Sequence, residues 1–199
     1  NTLESVDETV KLTSGTYSIS SAKELAKLAT MTNNALVGTG VEFVLGADID
    51  LSEYSNGEGW LSIGSNARFC AKFDGNGYVV SNLYIMNSFN KKEYLGLFGF
   101  CGRGCEIKNL GIEDVDITTI GATGALAGYV ENVTISNCYV KRGKINGCGN
   151  AGGLFGHLAG YDNISLVTDC YSDVSVTSTQ YAGGISGLMG NAIVRNCSS

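Results

Sequence analysis

A repeat in the second half of the chain restricts its fold more than any other feature. A Gly-rich hexapeptide occurs four times, and its final glycines are Gly99, Gly128, Gly156 and Gly187. A second motif alternates with it: an aliphatic residue, then Asn or Asp two places later, then Leu or Cys. This motif begins at Val80, Ile107, Ile135, Val167 and Val194. Two motifs that share one period of about 28 residues indicate a solenoid or a propeller.

The residue types within each repeat favour β-strands. Val, Ile, Thr and Tyr alternate with polar residues, as in the segments that begin at Val133 and Val174, and no sustained helical period is present. A propeller blade needs about 40–50 residues. The sequence therefore predicts an all-β fold, a parallel β-helix of about 28-residue coils, with equivalent residues stacked about 4.8 Å apart.

Stacking of the coils turns the second motif into columns. We expect one inward aliphatic column, formed by Val80, Ile107, Ile135, Val167 and Val194. A second inward column is expected to contain Leu83, Leu110, Cys138, Cys170 and Cys197. Between them, a corner column of Asn82, Asn109, Asn137, Asp169 and Asn196 is expected, because short polar side chains tolerate left-handed backbone. The glycines are expected where the backbones of two rungs approach closely.

The first part of the chain differs from the repeats and is predicted to be a cap. Ser21 and Glu24 form a capping-box pattern, which predicts a helix over about residues 22–33 with Leu25 and Leu28 on its buried face. We expect residues 1–78 to form the N-terminal cap with the first irregular rungs, and residues 79–199 to form one continuous solenoid.

The alternation of Gly-Gly-Leu-Phe-Gly at 152–156 with Asn-Cys-Tyr at 137–139 resembles the GLUG-repeat modules of bacterial surface and secreted proteins. Such modules also occur in non-catalytic regions of IgA-cleaving metallopeptidases. Segments 21–29, 43–51, 60–64 and 73–77 resemble what commonly precedes them, although Ser62 replaces a usual proline and Ala71 a usual glycine. The resemblance implies a surface-exposed module that acts in adhesion or as a spacer, without a catalytic site.

Composition and charge restrict the partners of the chain. The net charge is −6 with a pI near 4.7, and no basic stripe is present, which argues against nucleic acid as a partner. No apolar run is long enough to span a membrane, so membrane insertion is not expected. Together with the resemblance, these features predict an extracellular or cell-surface location.

The seven cysteines are interpreted by their positions in the repeat. Cys101 and Cys105 flank a three-residue loop, and a local disulfide between them is predicted. Cys138, Cys170 and Cys197 occupy positions of the inward column and are expected to be small buried hydrophobic residues. With a single histidine, His157, and no paired Cys-x-x-Cys motif, neither a metal site nor a cofactor is predicted.

Two pairs of carboxylates are further candidates for a catalytic or metal-binding role. Asp114 and Asp116 align with Arg142 and Lys144 of the next repeat, which favours ordinary ion pairs between rungs. Asp48 and Asp50 are expected to help build a rung, with a calcium site as the alternative. No catalytic residue is therefore predicted.

One column offers a candidate binding surface. The residues after the Leu/Cys column are Tyr84, Gly111, Tyr139, Tyr171 and Ser198. Alternation along a strand turns this column outward. Tyr84, Tyr139 and Tyr171 are therefore candidate residues for stacking against sugar rings, whereas the alternative is that the tyrosines only stack on each other.

Three functions are consistent with these patterns. The first is a non-catalytic β-solenoid module for adhesion or rigid spacing, whose partner is a host or matrix glycan or protein. The second is a self-assembling filament subunit that associates end to end through an open C-terminal rung. The third is a polysaccharide-cleaving β-helix enzyme, which needs a carboxylate cluster that the sequence does not reveal.

Overall fold

The computed structural model describes residues 1–88 and 94–199, and it is a parallel β-helix of about six turns with one helix near the N-terminus. Each complete turn adds one strand to each of four parallel sheets, named A to D. Within a turn the chain passes through sheet A, then B, then D and finally C. This architecture confirms the predicted fold class.

Within the described residues, sheet A has seven strands, and their order in the sheet is their order in the chain. These strands are β1 (Leu12–Ile19), β2 (Val37–Leu45), β4 (Lys72–Asp74), β9 (Glu106–Lys108), β13 (Thr134–Ser136), β17 (Ser165–Thr168) and β21 (Ala192–Arg195). Because sheet A begins with β1 and ends with β21, one backbone ladder joins the N-terminal rungs to the Gly-rich repeats.

Sheet B lies on the next side of each rung. Its strands are β3 (Ile49–Asp50), β5 (Val79–Ser81), β6 (Tyr84–Asn87), β10 (Gly111–Thr119), β14 (Tyr139–Gly147) and β18 (Tyr171–Ser178). Strands β5 and β6 pair with consecutive parts of β10, so together they form the sheet B side of a single rung.

Sheets D and C complete each rung. Sheet D contains β7 (Tyr94–Leu95), β11 (Ala122–Gly124), β15 (Asn150–Gly152) and β19 (Tyr181–Gly183). Sheet C contains β8 (Phe98–Cys101), β12 (Ala127–Glu131), β16 (Phe155–Ala159) and β20 (Ser186–Met189). Glycine within sheet C allows a close approach to sheet D: a Cβ on Gly128 in β12 would lie 2.3 Å from the nitrogen of Leu95 in β7 of the preceding rung. The repeated glycines thus mark close backbone approach, as predicted.

The inward column in sheet A confirms the predicted register from the second repeat onward. Ile107, Ile135, Val167 and Val194 pair in succession, and all but Val194 are fully buried. Phe73, rather than Val80, precedes Ile107 in this column. Val80 lies in sheet B between Ile49 and Ile112, so its predicted position was wrong.

The error in register has a local cause. Asn82 has φ 60° and Asn109 has φ 56°, so the same aliphatic-x-Asn-Leu motif builds a left-handed bend at two different places in the rung. Asn82 and Leu83 lie opposite Asp114 and Val115 in the middle of the sheet B side. Leu83 therefore does not belong to the column of Leu110, Cys138, Cys170 and Cys197.

The corner column is held by side-chain amides. Asn109 donates to Asp74 Oδ1 at 3.1 Å, Asn137 donates to Asn109 Oδ1 at 2.9 Å, and Asn196 donates to Asp169 Oδ1 at 3.2 Å. The Asn and Asp residues of this corner at positions 109, 137, 169 and 196 all have φ between 52° and 56°. This confirms the predicted polar corner from Asn109 onward, whereas Asn82 lies outside it; Asp74, which pairs with Lys108, only accepts the hydrogen bond from Asn109.

The N-terminal cap contains helix α1 (Ala22–Asn33), as the capping-box pattern predicts. Ser21 Oγ accepts a hydrogen bond from the Glu24 N–H at 3.2 Å, and Glu24 Oε1 accepts one from the Ser20 N–H at 3.2 Å. Leu25 and Leu28 are fully buried on the core face of α1. A short 3₁₀ helix at Leu3–Ser5 adds a fully buried Leu3, which the sequence pattern did not reveal.

Candidate functional site

The candidate site on the outer face of sheet B contains a stacked tyrosine pair. Tyr139 and Tyr171 pair across β14 and β18, and their rings are 5.0 Å apart and inclined by 5°. Tyr171 is 39% exposed. The prediction that these two residues are outward-facing neighbours is confirmed, and their rings stack on each other.

Tyr139 is held firmly from its other side. Gly111 lies beneath it, and a Cβ there would come within 2.5 Å of the phenol ring. The hydroxyl donates to Glu113 Oε1 at 2.8 Å. Burial, followed by the bond to Glu113, raises the pKa of Tyr139 to about 12. Because Tyr139 is covered by Tyr171 and by Gly111, the more accessible ring of the pair is that of Tyr171, which is followed in the column by the small residue Ser198.

A charged cluster borders the tyrosine pair. Glu113 accepts from Lys141 Nζ at 3.1 Å and from Arg142 Nη2 at 2.5 Å, and Arg142 Nε also donates to Asp114 at 2.8 Å. Burial opposes ionisation of Glu113, but the hydrogen bonds from Tyr139, Lys141 and Arg142 outweigh it and lower its pKa. The cluster fixes the two acidic and two basic side chains against each other.

The second predicted ion pair is looser. Lys144 Nζ lies 3.9 Å from Asp116 Oδ1, and both side chains are at least half exposed. Exposed pairs of this kind contribute about 0–1 kcal/mol. The structure thus confirms the expectation that Asp114 and Asp116 pair with Arg142 and Lys144.

Tyr84 lies on the outer face of sheet B but not in the tyrosine column. It pairs with Asp116, whereas Gly111 pairs with Val79 on one side and Tyr139 on the other. The prediction that Tyr84 belongs to the tyrosine column was therefore wrong. The cause is the same register error that misplaced Val80 and Leu83. Two rungs, or about 10 Å along the axis, separate Tyr84 from Tyr139.

Asp48 and Asp50 build the rung in which they lie. Asp48 Oδ1 accepts from the Val79 N–H at 2.9 Å, while Asp50 Oδ1 accepts from the Ser52 N–H at 2.9 Å and from the Asn82 amide at 2.8 Å. Hydrogen bonds from Asn82 and Ser52 lower the pKa of Asp50. Within residues 1–88 and 94–199, no three His, Cys, Asp or Glu side chains are close enough together to hold a metal ion.

The cysteines form two clusters inside the solenoid. Cys138 and Cys170 are buried one above the other, with Cys197 half-buried in the next rung, as expected for the inward column. Cys101 and Cys105 are both buried as thiols, and the disulfide between them stays a prediction. Cys70, for which the sequence suggested no partner, lies against Gly102 of the loop between Cys101 and Cys105, and its thiol would be 3.0 Å from a Cβ on Gly102.

A second outward aromatic array was missed by the sequence reasoning. Phe100, Tyr129 and His157 pair in succession across sheet C, with ring centroids 4.8 and 4.9 Å apart. The Tyr161 hydroxyl, from a corner loop, lies 3.1 Å from the Tyr129 hydroxyl. Burial lowers the pKa of His157, which favours the neutral imidazole. The available signal was the residue that follows each final glycine of the hexapeptide.

The aromatic array of sheet C is flanked by a charged pair. The Arg68 guanidinium lies 4.6 Å from the centroid of the Phe100 ring and donates to Glu131 Oε1 at 2.9 Å. Glu131 is almost completely buried, whereas Arg68 is half exposed. The arrangement combines a cation–π contact with an ion pair, and both restrain the edge of the array.

Comparison with known proteins gives partial matches. No family model matches the chain. The chain is 37% identical over 109 residues to a candidate Gly-rich membrane protein of Evansella cellulosilytica, covering 50% of this chain and 12% of that protein. It is 31% identical over 153 residues to Halomucin of Haloquadratum walsbyi, covering 71% of this chain and 2% of that protein. The chain thus spans a small part of these relatives.

A solved structure supports the fold. The chain is similar to the crystal structure of a candidate immunoglobulin A1 protease from Bacteroides ovatus, with a TM-score of 0.51 and 17% identity, over 91% of this chain and 74% of that chain. At this identity the similarity concerns the fold alone. It agrees with the β-helix expected from the resemblance to GLUG-repeat modules. Among the described residues, no helix has the length and apolar character needed to cross a membrane.

Proposed function

We propose that the chain is a non-catalytic β-solenoid module of the GLUG type, displayed on a cell surface or secreted, which acts in adhesion or as a rigid spacer. The observation that supports the proposal best is the pair of relatives. One is named a Gly-rich membrane protein and the other Halomucin, and the chain matches 12% and 2% of their lengths. A short module within two much longer proteins of these names fits both an adhesive role and a spacing role.

The location is tested first. Antibodies raised against the 199-residue chain are applied to intact and to permeabilised cells that produce the parent protein. Labelling of intact cells that is lost after treatment with an external protease is the expected result. Labelling that appears only after permeabilisation refutes the proposed surface location.

For the adhesive role, the proposed ligand-binding surface is the outer face of sheet B. The exposed part of Tyr171 is an aromatic surface stacked on Tyr139, which in turn contacts the polar side chains of Glu113 and Lys141, and aromatic and polar groups on one face are a suitable combination for a glycan. A binding site of this kind combines apolar contact with a few fixed polar groups. The extended sheet also gives a protein ligand a rigid contact surface.

A glycan panel tests this assignment with a matched pair of variants. Tyr171→Ala removes the exposed ring, and Tyr181→Ala removes another exposed tyrosine, 58% accessible, in sheet D. If aromatic contact contributes about 0.5–1.5 kcal/mol, Tyr171→Ala weakens binding about 2- to 13-fold. Equal affinities for the two variants refute the site, and shortening of any polysaccharide during the assay refutes the non-catalytic role.

A further inference from the structure

A column of cysteines lies at the corner between sheets A and B. This thiol column contains Cys138, Cys170 and Cys197. The strands that precede its members, β13, β17 and β21, pair in register. The ladder continues past the corner, where the Cys138 carbonyl accepts from the Tyr171 N–H and the Cys170 carbonyl from the Ser198 N–H, both at 3.1 Å. Successive cysteines of the column are therefore one rung apart, or about 4.8 Å between Cα atoms.

The three thiols also share one side-chain orientation. Each donates to the carbonyl two residues earlier in its own rung, at 3.2 or 3.3 Å. Cys197 Sγ in addition lies 3.8 Å from the carbonyl oxygen of Val167 in the preceding rung. Cys170 Sγ is in hydrogen-bonding contact with the thiols of both neighbours. The sulfur atoms thus form one continuous column, and Cys170 is its central member.

The spacing of the thiol column suits a disulfide between successive rungs. A disulfide joins cysteines whose Cα atoms are about 4.4–6.8 Å apart, and one step of a parallel ladder falls within this range. Each sulfur reaches the other by turning away from its carbonyl, which is a rotation about the bond between Cα and Cβ. Backbone spacing therefore allows Cys170 to pair with the cysteine before it or with the cysteine after it.

Access and ionisation distinguish these two pairs. Cys138 and Cys170 are each 1% exposed, whereas Cys197 is half-buried. The hydrogen bond with the Cys138 thiol outweighs burial and lowers the pKa of Cys170, to which a bond with the Cys197 thiol also contributes. Burial raises the pKa of Cys197. A reagent dissolved in water therefore reaches Cys197 first, and Cys170 supplies the more readily ionised thiol beside it.

We propose that Cys170 and Cys197 form a redox-dependent disulfide that joins two successive rungs, with Cys197 as the thiol that reacts with a low-molecular-weight disulfide and Cys170 as the thiol that resolves the mixed disulfide. The inference goes beyond the surface role proposed above and does not depend on it. It gives two members of the thiol column a role besides filling the core, and it leaves Cys138 as a thiol.

Formation of this disulfide takes two thiol–disulfide exchanges. The Cys197 thiolate attacks one sulfur of the external disulfide, a mixed disulfide forms, and one external thiolate leaves and takes up a proton. The Cys170 thiolate then attacks Cys197 Sγ, the Cys170–Cys197 bond forms, and the second external thiolate leaves and takes up a proton. One external disulfide is reduced to two thiols, and two protein thiols are oxidised to one disulfide.

The test incubates the folded chain with oxidised glutathione at mildly alkaline pH, which ionises more of Cys197. Samples taken at successive times are quenched with acid and unfolded, and the remaining thiols are alkylated. Mass spectrometry of the peptides then assigns each thiol, mixed disulfide and disulfide. In the wild type we expect glutathione on Cys197 first and a Cys170–Cys197 disulfide afterwards, with Cys138 alkylated throughout.

Two variants and one solvent condition supply the controls. Cys148 is exposed and lies at another corner, between sheets B and D. Cys197→Ser is expected to slow oxidation of Cys170 by about 10-fold or more, because it removes the accessible thiol. Cys148→Ser also removes an accessible thiol and is expected to leave that rate unchanged. In the chain unfolded by urea, Cys170 is expected to pair with other cysteines as well, because the stacking that selects its partner is lost.

Three results overturn the proposal. The first is a wild type in which Cys197 carries glutathione while Cys170 remains alkylatable. The second is a disulfide between Cys138 and Cys170 in place of the proposed one. The third is an equal share of the Cys170–Cys197 pairing in the folded and in the urea-unfolded chain, since stacking would then play no part. All three are measured on the wild type, so the test does not depend on the folding of a variant.

Discussion

The corner asparagine Asn137 allows backbone strain and side-chain hydrogen bonding to be separated by two substitutions. Its φ of 52° lies in the left-handed region, and its amide donates to Asn109 Oδ1 at 2.9 Å. Asn137→Ala loses the hydrogen bond, about 1 kcal/mol, and leaves in left-handed backbone an alanine without the local hydrogen bonding by which Asn tolerates it, about 1–2 kcal/mol. The expected loss of unfolding free energy is therefore about 2–3 kcal/mol. Asn137→Gly loses the bond but avoids the steric cost, so it is expected to be about 1 kcal/mol less destabilising than Ala.

Urea denaturation measures both values, and Asn146→Ala is the control. Asn146 lies inside strand β14 without left-handed backbone, and its Oδ1 accepts from Thr177 Oγ1 at 2.6 Å. The same substitution there removes a hydrogen bond alone, so a loss of about 1 kcal/mol or less is expected. If Asn137→Ala and Asn137→Gly unfold at the same urea concentration, or if Asn146→Ala costs as much as Asn137→Ala, the reasoning about the corner is refuted.

Three further predictions concern packing and pH. Gly128→Ala places a Cβ 2.3 Å from the Leu95 nitrogen, so we expect urea denaturation to show a loss of about 1–3 kcal/mol in unfolding free energy. Gly190→Ala is the control, because nothing lies within 4 Å of its Cβ position, and it should change this free energy little. Equal losses for the two variants contradict the packing argument. Ile135→Ala in the fully buried column should cost about 2–5 kcal/mol by thermal or urea denaturation, and a loss below 1 kcal/mol would show that the rungs collapse around the cavity. The pKa of Glu113 is lowered in the fold, so its carboxylate stabilises the fold above its ordinary pKa of 4.5 and loses this effect as the pH falls through the folded pKa. The unfolding free energy of Glu113→Gln should therefore depend less on pH in this acidic range than that of the wild type. Parallel pH profiles of the variant and the wild type contradict the assignment.

The period of the repeat was enough to predict the fold, because in-register stacking leaves few other arrangements for coils of this length. The capping box likewise predicted α1, whose bounds follow from Ser21 and Glu24. What could not be predicted was the register of the first regular rung. Asn82 builds its bend in the middle of the sheet B side, whereas Asn109 builds a bend of the same local conformation at a corner, and a motif of four residues contains no information about which of these places it occupies.

The sequence also predicted only part of the candidate site. Alternation correctly turned Tyr139 and Tyr171 outward, but Tyr84 inherited the error of register and belongs to the column of Asp116. The neighbours of Cys70 depend on the pairing of β4 with β9, which joins residues far apart in sequence. Such contacts follow from the stacked structure and not from the local pattern.

The continuous ladder of sheet A has a mechanical consequence. Each coil contacts mainly the coil before it and the coil after it, so a pulling force along the chain is expected to detach one coil at a time. A coil of about 28 residues occupies about 4.8 Å of the folded axis but extends to about 95 Å when unravelled. If its two ends are anchored and pulled apart, the chain is therefore expected to lengthen in repeated steps. When the force falls, it would shorten again as detached coils refold onto the remaining coils as a template.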